Sequence, residues 1–308
     1  MPTTVTIPAD LAPILARLDS LEARVEALEA GEIAPIPPHP GPGVVMAYWH
    51  WSWDGAVTLQ WMMDHRPAVS GLYYAQAVSD NNNSGNLHMD GACDADDIAA
   101  WLASGRHCWL MVGGQPGNGN GFQCQTSGQA DQAFASIVRI VDQYHFGGVT
   151  WDLEGDAAQY DPAQLAAVSR RLKEYYGMDF GIAFDPQPYR IRDANSGVSR
   201  CVAMLLPDGV DRLNVQWYDQ PGQGDQWFIN QYILADLHTI IVTHGIPAAK
   251  VMMGCSQSGG PPGDGATYAD AWRQAVALYP TLGGASFWED RDDPGSSWYN
   301  AMVPAMGL

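Results

Sequence analysis

Gly147-Gly148-Val149-Thr150-Trp151-Asp152-Leu153-Glu154 is the stretch on which the architecture of this chain turns. Side chains along a strand alternate between its two faces, so Thr150, Asp152 and Glu154 share one face while Val149, Trp151 and Leu153 share the other. An apolar face against a covering layer and a polar face running to carboxylates at the strand's C-terminal end is the pattern of a barrel stave. Working outward, apolar strand-like runs recur at residues 44–49, 69–77, 107–112, 147–153, 179–184, 212–218, 250–255 and 283–288. Helical patterns lie between them, clearest at 129–144, 162–176 and 226–244. Such alternation over residues 44–308 predicts an α/β chain folded as a (β/α)8 (TIM) barrel. A doubly wound open sheet is the alternative, but it wants a phosphate-binding turn after an early strand. The glycine-rich segment 113–121 lacks the Gly-Lys-Ser/Thr ending of such a turn and reads better as a loop at the barrel mouth.

Before the barrel the chain has a different character. Residues 1–10 form a short extension. From Leu11 the apolar residues Leu11, Ile14, Leu18, Leu21, Val25 and Leu28 step by three and four, an a/d heptad pattern over residues 11–30. With Leu18 and Val25 at a, Arg17 and Arg24 occupy g while Glu22 and Glu29 occupy e, the arrangement that joins neighbouring helices of a parallel coil. Both Arg17-to-Glu22 and Arg24-to-Glu29 are similar to the Arg-apolar-x-x-apolar-Glu motif of short three-stranded coils, which predicts a homotrimer. A lone amphipathic helix docked on the body is the alternative. Residues 31–43, GEIAPIPPHPGPG, are a proline-rich linker that can join neither a helix nor a central strand.

Composition removes several classes of function. Fifteen Lys and Arg against 34 Asp and Glu give a net charge of −19, which repels phosphate backbones and anionic lipid, so neither nucleic acid nor a membrane surface is an expected partner. No apolar run approaches the ~20 residues needed to span a bilayer, and the first residues lack a basic start followed by an apolar block, so no signal peptide is expected. Five cysteines without CxxC or Cys/His spacing predict no metal site, and no cofactor is expected. A bridge such as Cys93 to Cys124 is open. Twelve Trp and 13 Tyr against seven Phe fit a surface where flat rings with polar edges meet sugars, although core packing explains many of them equally well.

Two carboxylates one pleat apart raise each other's proton affinity, which keeps an acid protonated near neutral pH; a solvated turn at Glu154-Gly155-Asp156 is the plain structural alternative. The segment resembles the Asp-Gly-x-Asp-x-Asp-x-Glu signature of family 18 glycoside hydrolases, the chitinases and their relatives. Val215-Gln216-Trp217-Tyr218-Asp219 resembles the Gln-aromatic-Tyr segment of plant class III chitinases such as hevamine. Gly283-Gly284-Ala285-Ser286-Phe287-Trp288 is similar to the family's last strand, and Met111-Val112-Gly113-Gly114 to its Ser-x-Gly-Gly, with Met111 in place of Ser. The signature's first two aspartates are replaced by Gly147 and Thr150.

The resemblance implies substrate-assisted hydrolysis with retention of configuration, in which the substrate's N-acetyl oxygen attacks the anomeric carbon. It makes Glu154 the general acid/base, Asp152 the group that orients the N-acetyl, Tyr218 a hydrogen-bond donor to it, and Trp288 the floor of the sugar subsite. Thr150 is expected to hydrogen-bond Asp152 without sharing a proton. Gln216, Asp219, Asp185, Gln187 and Tyr189, with Glu289 and Asp290, occupy positions that commonly touch substrate. Trp49, Trp51 and Trp53 alternate and are candidates for one wall of a glycan cleft, with packing against the last helix as the alternative. Two functional expectations follow: a hydrolase of N-acetylglucosamine polymer, or a carbohydrate-binding adhesin that has lost turnover. Coil, linker and barrel together suggest a minor tail or tail-fibre protein of a phage, located in the virion tail beside other tail proteins.

Overall fold

The computed structural model of the chain describes residues 43–50, 58–79, 84–91, 93–114, 122–154, 159–218, 225–256, 265–288 and 297–308. The expected extension (1–10), coil (11–30) and all but Gly43 of the linker (31–43) lie outside the described residues.

In chain order the elements are β1 (Val44–His50), α1 (Leu59–His65), β2 (Val69–Ser79), β3 (Leu87–Met89), α2 (Ala95–Ala103), β4 (His107–Gly114), β5 (Gln123–Cys124), α3 (Ser127–Tyr144), β6 (Gly148–Leu153), β7 (Gln159–Tyr160), α4 (Pro162–Tyr176), β8 (Gly181–Phe184), α5 (Pro188–Arg192), α6 (Gly197–Leu205) and β9 (Arg212–Gln216). A composite helix of α7 (Asp225–Phe228), a π segment (Ile229–Leu234), α8 (Ala235–His238) and a second π segment (Thr239–Thr243) leads to β10 (Val251–Ser256), α9 (Gly265–Leu278), β11 (Gly284–Trp288) and α10 (Ser297–Ala305). Each expected strand is present, its ends shifted by no more than two residues.

Strands β1, β2, β4, β6, β8, β9, β10 and β11 pair in that order, all parallel, and β1 pairs with both β11 and β2, which closes the barrel. The short β3 runs antiparallel on the outer end of β2, and β5 with β7 forms a separate two-stranded ladder. Local signals start the helices. Thr126 and Gln129 form a capping box on α3, and the Asp161 carboxylate caps α4, whose first residue is Pro162. The helix expected over 226–244 is present but contains the two π segments. Its wider turns re-phase the buried face, which includes Ile233, Asp236, Leu237 and Ile240.

The outward set of each strand packs beneath the helices. Trp151 donates its indole N–H to Ser169 Oγ on α4 at 3.1 Å and packs at a tilt against Phe122. Burial of such side chains stabilises the fold by ~1.5–3 kcal/mol each. The inward set fills the barrel: Val44, Met46, Tyr48, Tyr73, Ala75, Trp109, Met111, Ala183 and Met252 form one buried cluster. Trp109 lies under β8, where a Cβ on Gly181 would come within 2.2 Å of its ring. Beyond the strand that ends at Phe184, Lys173 clamps the turn entering β9. Its ammonium pairs with Asp211 Oδ2 at 2.8 Å, and that same oxygen accepts the Ile182 N–H at 2.8 Å. Lys250 donates to the Val210 carbonyl in the same turn. All five cysteines are free thiols, so the bridge left open between Cys93 and Cys124 does not form. Among the described residues no helix is long and apolar enough to cross a membrane.

Candidate active site

Strand β6 brings its inward face to the barrel mouth as the alternation requires. Thr150 and Asp152 are buried, and Glu154, the first residue past the strand, is half-buried at the rim. The neighbouring strand approaches closely because Gly113 pairs with Asp152: its φ is +106°, and a Cβ there would lie 2.1 Å from the Asp152 carbonyl oxygen. Gly113 is thus a packing requirement of β6.

Four strands then converge on two carboxylates. Gln216 of β9 donates one amide proton to Asp152 Oδ1 at 2.8 Å and the other to the Asp185 backbone carbonyl at 2.9 Å, a fork that fixes β6 against β8 and β9. The hydrogen bond expected from Thr150 to Asp152 is not made; the Thr150 hydroxyl donates instead to Asp185 Oδ1 at 2.7 Å. Asn214 of β9 donates to the same oxygen at 2.5 Å and accepts the Tyr73 hydroxyl of β2 at 3.0 Å. The reason is register: Thr150 stands opposite Ala183, two residues before Asp185 on the same face of β8, so its hydroxyl meets the next inward side chain of the neighbouring strand. Asp185 Oδ2 is buried and makes no full hydrogen bond, though the Tyr48 hydroxyl comes close enough to lower the proton affinity of the group.

Burial dominates the electrostatics. Asp152 is held well above the ordinary carboxylate range, first by desolvation, then by the charges of Glu154 and Asp185, with the Gln216 hydrogen bond opposing. Asp185 is pushed up to about 7 by burial and by Glu154, against the donors Asn214, Thr150 and Tyr48. Tyr48 and Tyr218 are both raised well above their usual value by burial and by the same carboxylates, so each stays a neutral hydrogen-bond donor. Trp288, at the end of β11, packs against Tyr48 with ring centroids 5.4 Å apart. Tyr218 is positioned from behind: the preceding Trp217 donates its indole N–H to the buried Asp236 at 2.8 Å, and its carbonyl accepts the Tyr268 hydroxyl at 2.8 Å. Arg192 meets the other Asp236 oxygen at 3.2 Å.

Of the residues singled out from the sequence, Glu154, Asp152, Thr150, Gln216, Asp185, Tyr218 and Trp288 come together. Gln187 precedes α5 without a side-chain capping bond and accepts the hydroxyl of the exposed Tyr189 at 2.7 Å. Trp49 does not join them: it is 6% exposed and packs on Tyr74 at 4.9 Å, on the face of β1 opposite Tyr48. Asp219, Glu289, Asp290, Trp51 and Trp53 lie outside the described residues. Tyr48, Tyr73 and Asn214 were not singled out. Asn214 could have been, since it stands two residues before Gln216 on the same face. Among the described residues no group of three His, Cys, Asp or Glu could hold a metal ion.

A parallel eight-stranded barrel with buried acids at the C-terminal ends of its strands defines a (β/α)8 barrel with its polar cleft where such barrels carry their sites. Its fold is that of the family 18 glycoside hydrolase barrels. A family GH18 chitinase from Chromobacterium violaceum superposes with a TM-score of 0.72 at 18% identity, over 88% of this chain and 85% of that one. A fungal endo-beta-N-acetylglucosaminidase from glycosyl hydrolase family 18 gives 0.66 at 18% identity, over 85% and 95%. In sequence, Exochitinase 1 of Streptomyces olivaceoviridis is 24% identical over 266 residues, 71% of this chain. The chain spans 43% of the length of the curated relatives it matches. No family model matches it.

Proposed function

We propose that the barrel hydrolyses β-linked N-acetylglucosamine polymer by the substrate-assisted route. The observation that carries this reading is the pair Asp152 and Glu154 at the end of β6, with Gln216 holding the first and Tyr218 beside both. In this reaction Glu154 gives its proton to the glycosidic oxygen as the bond to the anomeric carbon breaks. The substrate's own N-acetyl carbonyl oxygen closes on that carbon, its N–H held by Asp152 and its oxygen approached by the Tyr218 hydroxyl. Glu154, now a carboxylate, takes a proton from the water that opens the cyclic intermediate, so configuration is retained and the acid is restored. The test is release of reducing ends from chito-oligosaccharides or N-acetylglucosamine-containing cell-wall fragments.

A second reading, a carbohydrate-binding adhesin without useful turnover, rests on Thr150, which stands where the resembled signature has an aspartate. A protein that binds these glycans and releases no reducing ends at any pH is that adhesin. In either case the heptads of residues 11–30 and the linker of 31–43 make the barrel one of three presented on a trimeric stalk, in the manner of a phage tail protein meeting a host surface glycan beside other tail proteins.

A further inference from the structure

The site contains a second inward carboxylate, but it comes from β8 and not from β6. We infer that Asp185 is a positioning residue that supplies the carboxylate missing from position 150, its charge keeping the proton of the pair on Asp152, where the substrate's N-acetyl group must be met. This deepens the hydrolase reading and rests on it. The donors decide which group carries the proton. Asp185 Oδ1 accepts both Thr150 and Asn214, with Tyr48 close by, whereas among the described residues Asp152 accepts one side-chain donor, Gln216. Donors stabilise the ionised form, so of two neighbouring carboxyls the better-solvated one holds the charge and the other keeps the proton. Thr150 is then the connecting piece: a hydroxyl on β6 that reaches the carboxylate on the next strand. Asn214, in turn, is oriented by the Tyr73 hydroxyl.

Among the described residues, four strands carry titratable groups toward the pair. Tyr48 comes from β1, Tyr73 from β2, Glu154 from the end of β6, and Tyr218 from beyond β9. Arg212, also on β9, lies lower in the barrel against Tyr73, Met252 and Trp109. Of these, Glu154 also raises Asp152, and by more than Asp185 does, but in the hydrolase reading it is the proton donor and carries no charge until the glycosidic bond breaks. The phenols are neutral, and Arg212 is not among the groups acting on Asp152.

The test is a pH titration of the side-chain carboxyls by 13C NMR on protein labelled at aspartate, run beside the pH profile of chitotetraose hydrolysis. Wild type, Asp185→Asn, Asp152→Asn for assignment, and the exchange variant Asp185→Asn/Thr150→Asp are compared. Asparagine keeps the acceptor oxygen that Thr150 and Asn214 need, and thermal melts verify folding. Asp185→Asn is expected to lower the Asp152 midpoint by about one pH unit or more, as loss of a like charge requires, and to move the alkaline limb of hydrolysis the same way. The exchange variant is expected to reverse most of both shifts. An Asp152 midpoint that stays in place in Asp185→Asn overturns the inference whatever the activity, and so does an exchange variant that titrates like the single one. A parent protein that cleaves nothing at any pH overturns the hydrolase reading alone, and the NMR titration still decides the role of Asp185.

Discussion

The Thr150 hydroxyl hydrogen-bonds Asp185 across the seam between β6 and β8, at 2.7 Å, and leaves Asp152 of its own strand to Gln216. The acidic centre is therefore assembled between strands. Its properties depend on how β6, β8 and β9 are held in register as much as on the residues of any one of them.

The first consequence concerns the proton donor. Glu154→Gln keeps the shape of the side chain but has no acidic proton, so cleavage of chito-oligosaccharide should fall by ~10²–10⁴-fold, the usual worth of general acid catalysis. Binding measured by calorimetry should change little. Cleavage at the parent rate would remove Glu154 from the reaction.

Buried acids also leave a signature in stability. An unfolded aspartate ionises near 3.8, whereas Asp185 in the barrel holds its proton up to about 7. Between those values the folded chain binds more protons than the unfolded one, so this group makes stability fall as pH rises through that window. Asp152, raised in the same direction, adds to the trend. Calorimetry should show Asp185→Asn melting a few degrees above wild type at pH 8 and close to it at pH 4, given ~2–4 °C per kcal/mol for chains of this size. A lower melting temperature at pH 8 would contradict it.

Tyr48 and Trp49 are adjacent and should behave oppositely. Tyr48→Phe removes the hydroxyl beside Asp185 while keeping the ring against Trp288, so turnover and its pH profile should change with little loss of stability. Trp49→Ala deletes a buried ring on the helix side and should cost ~3–5 kcal/mol in urea unfolding, with glycan affinity unaltered in the protein that remains folded. If Trp49→Ala instead abolishes binding without loss of stability, its packing on Tyr74 is not its role.

Behind the site, Asp236→Ala leaves the buried Trp217 indole without its acceptor. The penalty should be ~1–3 kcal/mol, accompanied by slower turnover because Tyr218 follows Trp217 directly. Asp236→Asn retains an oxygen for the indole and should be milder on both counts. Equal effects of the two would make the Arg192 pairing, not the indole contact, the important one.

Assembly is tested by light scattering on the full chain and on a chain starting at Gly43. The heptads predict a trimer for the first and a monomer for the second. A monomeric full chain removes the stalk, and two equal trimers move the interface to the barrel.

The barrel was legible because eight apolar runs with helical spacers admit few topologies, and the inward face of β6 because its two faces differ in polarity. In β1 they do not. Val44-Val45-Met46-Ala47-Tyr48-Trp49 is apolar on both sides, as a strand buried on both faces must be, so nothing in its pattern says that Tyr48 faces inward and Trp49 outward. The partner of Thr150 was hidden for another reason: a hydrogen bond between strands depends on register, and register between parallel strands 35 residues apart is not written in either one. Strands as short as β3, β5 and β7 carry no period to detect.

The chain has only two lysines, Lys173 and Lys250, and both are spent on the turn that enters β9. Reagents that acylate side-chain amines thus meet two unequal targets. Lys173 is 4% exposed, ion-paired, and hydrogen-bonded to the Met178 carbonyl, whereas Lys250 is half-buried and burial lowers the proton affinity of its amine, which leaves it the more reactive of the two. A biosensor surface prepared by lysine coupling would therefore tether the folded protein mainly through Lys250 and remove the charge with which that amine meets the Val210 carbonyl. Glycan affinities are better measured on protein attached through an engineered tag or with the sugar immobilised instead.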